Sequence, residues 1–221
     1  MKKKFFIKVA IDSEASAGGG SQAKLISKHY NLFYLDTGKI YRYIAYFIKK
    51  RNNKINYKKL RKEFINFNLK KLQIKKLLNE DIGMQASIIA KKKFIRKIVY
   101  NLQIKSAYDP PKKYNGSCLD GRDITYKIVP DADFKFFITA KLSIRAKRRF
   151  LEMKKNKKKV KYADVLKSIK KRDKSDYERS ISPLKRTKKQ ILINNGNLSK
   201  RACFLKIKKI MDKKLKLNGI I

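Results

Sequence analysis

Histidine occurs once in this 221-residue chain, at His29, and acidic residues are few: 17 Asp and Glu stand against 60 Lys and Arg. A lone histidine near a helix end reads as a surface or capping residue, so any reaction run here works without histidine. Cysteine is scarce too. Cys118 and Cys203 lie far apart and form no CxxC or Cys/His pattern. No disulfide framework or zinc site follows, and a reducing, cytosolic compartment is expected. No run of 18 apolar residues occurs, so no membrane span is expected. The start, MKKKFFIKVAIDSEASA, imitates a secretory signal, but Lys8 and Asp12 interrupt the apolar stretch that such a signal needs. It reads as a buried strand. Tryptophan is absent, and glycine (9) and proline (4) are rare.

What is present is a core. Hydrophobic residues make up 43% of the chain, with 12 Tyr and 12 Phe, which argues against disorder throughout. The length fits one domain of ordinary size. The formal net charge is +43. One reading is a nucleic-acid binder held by phosphate contacts. The other is coding bias, since Lys, Asn, Ile, Tyr and Phe are all abundant. The even spread of basic residues along the chain favours the second. Either way, so positive a field attracts anionic substrates and holds RNA loosely at low salt.

Along the chain, apolar runs alternate with helical periodicity. Strands are expected at 5–11, 32–35, 117–119, 134–139 and 190–193. Helices are expected at 21–30, 37–51, 81–103, 142–153, 162–174 and 199–215, with one or two short ones in 57–76. The dense charge run 154–161, KKNKKKVK, reads as a mobile, solvated connection. Strands alternating with helices predict a parallel sheet covered on both faces.

Between the first strand and helix lies a small-residue turn: Ser13, Glu14, Ala15, Ser16, Ala17, Gly18, Gly19, Gly20 and Ser21. Glycines there let backbone amides approach phosphate oxygens at a helix N-terminus. Ser21 is placed to offer a hydroxyl to Mg²⁺. The lysine of such loops is missing, because Gly19 stands in its position.

Further motifs carry a resemblance. YLDTG.IYR, DGRDI, PDAD.K.F.TA, R..RR and RD..D..RS..PL occur in this order, and QASIIAKKKFIRK follows the same pattern. Together they resemble the bacterial cytidylate kinase family from about residue 7 to residue 212. The resemblance implies a three-layer α/β P-loop nucleotide kinase fold over 1–221. A central parallel sheet of about five strands would be flanked by helices, with its core at about 5–50 and 105–215. A small helical insert for the nucleoside monophosphate would span about 51–104 and a lid about 148–166. It implies transfer of the ATP γ-phosphoryl group to CMP or dCMP with Mg²⁺, in a cytosolic monomer.

The resemblance also implies site residues. Arg42, Arg122 and Arg179 would hold the CMP phosphate, with Thr37 nearby. Ser87, Arg96 and Asp123 would read the cytosine edge, and Arg172 and Asp176 would meet the sugar hydroxyls. Arg148 and Arg149, with Lys147, would be where the lid meets ATP, and Asp120 is a second metal candidate. Arg122, Arg148, Arg149 and Arg179 are then the catalytic cations. Singly, each has a bland alternative: Arg42 as a helix surface residue, Asp120 and Asp123 as turn caps. Arg172 and Asp176 could be a helix pair contributing about 0.3–0.5 kcal/mol. In order and spacing together, they favour function.

The family loop resembles Gly-Pro-x-x-x-Gly-Lys-Gly/Ser-Thr. Here Glu14 adds a negative charge and Gly19 removes a positive one. Loss of such a cation costs several kcal/mol of transition-state stabilisation. A weakened or inactive homologue that binds nucleotide or RNA is therefore the alternative to an active kinase. Lys39, where the family carries a small residue, or Lys24 could restore the charge, as could the lid's extra cations together.

Overall fold

The computed structural model describes residues 5–51, 56–155, 159–217 and 219. The chain runs β1 (Ile7–Ser13), α1 (Gly19–Tyr30), β2 (Phe33–Asp36), α2 (Thr37–Lys49), α3 (Tyr57–Ile65), α4 (Glu80–Ile89) and α5 (Lys93–Tyr108). It continues with β3 (Gly116–Gly121), β4 (Phe134–Thr139), α6 (Leu142–Lys155), α7 (Tyr162–Glu178), β5 (Ile191–Asn194) and α8 (Lys200–Leu217). The five strands form one parallel sheet in the order β2-β3-β1-β4-β5.

Alternating side chains of the central strands feed two cores. Ala10 and Leu119 face Ile40 and Ile44 of α2, Ile82 of α4, and Ile95 and Val99 of α5. Val9, Ile11, Cys118 and Phe136 face Ile26 of α1 and Ile207 and Met211 of α8. Burial on both faces is what a parallel sheet requires. A third, smaller cluster joins Ala15 of the loop to Ala146 and Met153 of α6 and to Val165 and Ile169 of α7. The register aligns the carboxyl ends of all five strands. Asp36 pairs with Asp120, Asp12 with Gly121, Ser13 with Ile138, and Thr139 with Asn194. A ligand of an open α/β sheet binds outside these ends, where strand order reverses about β1.

One expectation needs correction. The single helix over 81–103 is two helices, α4 and α5, broken at 90–92. Apolar periodicity runs through the break, so the sequence carries no stop signal. Lys91 and Lys92 donate to Ile88 and Ile89 in tight final turns, and Arg96 reaches back to the Ala90 carbonyl at 3.2 Å. The segment 57–76 is α3 followed by two 3₁₀ turns, Leu69–Gln73 and Lys75–Leu78. After β3, residues Ile124–Ile128 form one turn of π-helix. Ile128 and Val129 donate to Asp123 and Ile124, five residues back. Within the charge run 154–161, residues 156–158 lie outside the described residues, as does the basic start 1–4. Both cysteines are buried and free.

Candidate active site

The loop between β1 and α1 opens on a cavity of about 770 Å³. Ser13–Ser16 and Gly18–Ser21 line it; Ala17 is buried beneath. Gly18 has φ 98° and caps α1 in the left-handed region, which glycine enters without cost. A Cβ there would lie 2.7 Å from Asn195 Nδ2. Asn195 in turn donates to the Ala17 carbonyl at 2.9 Å, which ties the loop to the end of β5. Gln22 donates to the Lys200 carbonyl at 3.1 Å, which ties α1 to α8.

Glu14 lines the cavity but is engaged with neighbouring side chains. Its carboxylate accepts from the hydroxyls of Thr139 (2.5 Å) and Tyr177 (3.2 Å) and lies 3.6 Å from the Arg145 guanidinium. Arg145 is buried and bonds to the carbonyls of Ala140 (2.7 Å) and Ala15 (2.9 Å) and to Asp173 (2.5 Å). Asp173 completes the loop anchor by accepting from the Ala15 amide at 3.1 Å. Arg145 and Asp173 stand in the motifs R..RR and RD..D..RS..PL, but the sequence assigned neither a role. The signal was available: Asp173 falls four residues after Ile169 and eight after Val165, on the apolar stripe of α7.

Opposite the loop, the sequence-predicted arginines divide into two groups. Arg42, Arg122, Arg148, Arg149 and Arg172 line the cavity. Arg42 crosses under α4, donating to the carbonyls of Leu77 (2.8 Å) and Asn79 (3.0 Å). Gly83 makes that crossing feasible, since a Cβ there would lie 2.6 Å from Arg42 Nη2. Arg122 donates to Asp176 at 2.8 Å. Arg149 pairs with Glu80 and Glu152. Arg148 donates to three carbonyls, Asn195, Gly196 and Leu198, so it fastens α6 to the chain after β5. Arg172 faces the cavity with a buried Nε that has no partner. Burial, then Arg122, push its pKa down to about 10.

Arg96, Asp123, Asp176 and Arg179 are buried behind this wall and do not line the cavity. Arg96 pairs with Asp123, and Arg179 lies 3.5 Å from Asp176 while donating to the Ser182 carbonyl at 2.6 Å. Burial alone would raise Asp176, but Arg122, Arg172 and Arg179 outweigh it and hold its carboxyl below the usual range. Thr37 donates to the Asp120 carbonyl at 2.8 Å and is also buried. Ser87 turns back onto its own helix, donating to Met84 at 2.8 Å. It lines no part of the cavity. His29 lies in the last turn of α1 against Tyr30 and Phe204, also outside it.

Asp12 acts behind the loop. It is fully buried and accepts from the amides of Ile124 (2.8 Å) and Thr125 (3.1 Å), the Thr125 hydroxyl and Gln190. It thereby holds the π-helical turn that begins next to Arg122 and Asp123. Burial pushes its pKa up to about 6.

Among the described residues there is no cluster of three or more His, Cys, Asp or Glu that could hold a metal alone. Hard oxygen donors do share the cavity with the loop. Asp36 and Asp120 line the cavity with Ser21, and a Cβ on Gly20 would lie 3.2 Å from Asp120 Oδ2. Tyr34 donates to Asp120 at 2.8 Å. Burial and then the neighbouring Asp36 push Asp120 up to about 8. Two crowded carboxylates and a hydroxyl suit Mg²⁺, which takes few protein ligands and completes its shell with water and phosphate.

A glycine-rich loop between the first strand and helix of a parallel 2-3-1-4-5 sheet, facing a wall of arginines, defines an α/β phosphotransferase of the P-loop kinase class. Within that class the chain belongs to the cytidylate kinase family, whose profile matches residues 9–213. It is 37% identical over 219 residues to a cytidylate kinase of Bartonella tribocorum (96% of this chain, 97% of that one). It is 35% identical over 220 residues to one of Thermosipho melanesiensis (95% and 99%). It is 36% identical over 219 residues to one of Clostridium tetani (92% and 93%). A crystal structure of an uncharacterized protein from Eubacterium ventriosum shares the fold, with a TM-score of 0.55 at 19% identity over 93% of this chain and 98% of that one. Among the described residues, no helix is long and apolar enough to cross a membrane.

Proposed function

We propose that the protein transfers the γ-phosphoryl group of ATP to CMP or dCMP, giving ADP and the corresponding diphosphate. One observation carries the reading: the loop Ser13–Ser21 and the arginines 42, 122 and 172 line the same cavity. Phosphoryl transfer needs positioning and charge neutralisation more than covalent help. The loop amides and the start of α1 would cradle the ATP phosphates. Ser21 and Asp120, with Asp36 beside them, would hold Mg²⁺, which supplies charge neutralisation to the β- and γ-phosphates. Arg42 and Arg122, with Arg179 behind, would fix the acceptor phosphate as forked donors. Arg172, which lines the cavity, would meet the sugar, and Asp176 orients the guanidinium groups around it.

Asp123, fixed by Arg96, would accept from the exocyclic amine of cytosine. Uracil lacks that donor, and a site built for a hydrogen bond rejects an analogue that leaves it unmade. Arg149 and Glu152 on α6 and Arg172 on α7 line the lid side, whose closure would expel water. Compartment and oligomeric state are expected to be cytosolic and monomeric.

ADP release measured with CMP, dCMP, UMP and AMP tests this. Turnover with CMP and dCMP well above UMP and AMP is the expected result. No ADP with any acceptor would leave the binding-only alternative. CMP-induced thermal stabilisation that follows ligand concentration relative to affinity would then show nucleotide binding alone.

A further inference from the structure

Three features of the loop region belong together. The first is space. α1 begins at Gly19, and a Cβ there would lie 2.4 Å from Ser13 Oγ and 2.7 Å from Ser13 Cβ. Real Cβ atoms do not approach so closely, so with Ser13 in place the loop admits no side chain at 19. The family pattern carries Gly where this chain has Ser13 and Lys where it has Gly19. The two exchanges are therefore one: the Ser13 hydroxymethyl group fills room that a side chain at 19 would need.

The second feature is charge. In-line transfer breaks the bond between Pγ and the bridging oxygen while an acceptor phosphate oxygen bonds to Pγ, and the electron pair stays on ADP. A cation near the β- and γ-phosphates stabilises that change. The loop supplies amides but no cation. Of the arginines lining the cavity, Arg42, Arg122 and Arg172 belong to the acceptor side of the proposed reaction, Arg148 is held on the carbonyls of Asn195, Gly196 and Leu198, and Arg149 pairs with Glu80 and Glu152.

The third feature is Lys39. It is the third residue of α2, half-buried, and lines the cavity with Ser13 and Gly18–Ser21. Its amide is held by the Asp36 side chain at 3.1 Å, which fixes the first turn of α2 against the carboxyl edge of the sheet. Among the described residues, no carboxylate lies within ion-pair distance of its Nζ. Lys24 is exposed and draws on Asp120, and Lys200 is exposed at the start of α8. We propose that Lys39 supplies the phosphate-binding cation that the loop lacks, so that this site takes its ammonium group from the first turn of α2 and leaves position 19 to the Ser13 side chain. The proposal deepens the kinase reading and rests on it.

The test measures kcat and KM with CMP for Lys39→Ala, Lys24→Ala, Ser13→Gly/Gly19→Lys and the triple variant that adds Lys39→Ala. Lys39→Ala should lose about 10²-fold or more in kcat, as removal of one preorganised donor does, with little change in KM for CMP. Lys24→Ala should retain wild-type kcat. The triple variant should regain at least about tenfold over Lys39→Ala, because the graft returns the cation to the loop. A structural role for Lys39 would not be rescued by a charge placed elsewhere. Wild-type turnover in Lys39→Ala, or an equal loss in Lys24→Ala, overturns the proposal. So does a folded triple variant without recovery. Should the graft not fold, added ethylammonium decides: recovery of Lys39→Ala supports the proposal and a flat response overturns it. Thermal stabilisation by MgATP needs no acceptor and separates the two readings. If the wild type is stabilised but does not turn over CMP, the acceptor assignment fails, while a shift reduced in Lys39→Ala still upholds the cation.

Discussion

In the wall proposed for the acceptor, and in the layer buried behind it, Arg122 and Arg179 lie on Asp176, and Arg96 lies on Asp123. At the loop wall, residues 13–21 carry a single charge, Glu14, and it is turned onto Arg145, Thr139 and Tyr177. The first wall is built from charges fixed in advance; the second presents backbone amides and space. The difference sets what each wall tolerates. Removing one charge from the first strands a buried partner, whereas the second is limited by the volume of a few small side chains.

The largest effect should come from breaking the acceptor wall at Arg96→Ala. Asp123 is 3% exposed, and Arg96 is its one ion-pair partner among the described residues. Leaving one member of a buried pair costs about 3–5 kcal/mol. Urea unfolding at pH 7 should show that loss, together with collapse of CMP turnover. Arg96→Ala/Asp123→Ala should recover stability without recovering discrimination against UMP. If the double variant is no more stable than the single, the pairing is not what holds this wall.

How much of this was legible in the sequence follows the same division. The sheet and its helices were readable because β1 and β4 carry apolar runs that serve both faces and the helices carry apolar stripes. Arg42, Arg122 and Arg172, taken from the family resemblance, line one cavity. The ion pairs behind them join α5, α7 and the turn after β3, and pairings between distant segments leave no periodicity to read. Ser87, for which the resemblance implies a base contact, is engaged with Met84 one turn back. The break between α4 and α5 was hidden because no Gly or Pro marks it; it is bridged by a local side-chain bond, Arg96 to the Ala90 carbonyl.

The second effect concerns the loop's backbone. Gly18→Ala would place a side chain at φ 98° and 2.7 Å from Asn195 Nδ2. The left-handed conformation costs about 1–2 kcal/mol for a residue with a Cβ. Asn195 must also move, releasing its bond to the Ala17 carbonyl. A fall in melting temperature with a larger fall in MgATP-induced stabilisation is expected. A melting temperature equal to wild type would mean that the loop is not held in this conformation.

A smaller effect sharpens the comparison through pH. Asp120 rises from 3.8 to about 8 in the folded protein. Between those values the folded state binds more protons than the unfolded state, so this group's contribution makes stability fall as pH rises. Mg²⁺ at Asp120 requires the ionised form, so binding should expel a proton near pH 7. Calorimetry of MgATP binding in two buffers of different ionisation enthalpy reads that proton. Asp120→Asn should remove it and flatten the decline in stability with pH; equal slopes in the two proteins would reassign the shift.

The smallest effect is expected where the sequence raised the sharpest alarm. A carboxylate at position 14 of a phosphate loop would repel ATP if it were left without partners. Instead it is engaged by two hydroxyls and the Arg145 guanidinium, which also carries Asp173. Two carboxylates against one guanidinium leave that cluster with one negative charge, so Glu14→Gln should remove a repulsion while keeping an acceptor for Thr139 and Tyr177. KM for ATP should then change little, or fall slightly at low salt, where charges are least screened. A large rise in KM on Glu14→Gln would show instead that this charge positions the loop through Arg145, and the loop wall would be as dependent on paired charge as the acceptor wall.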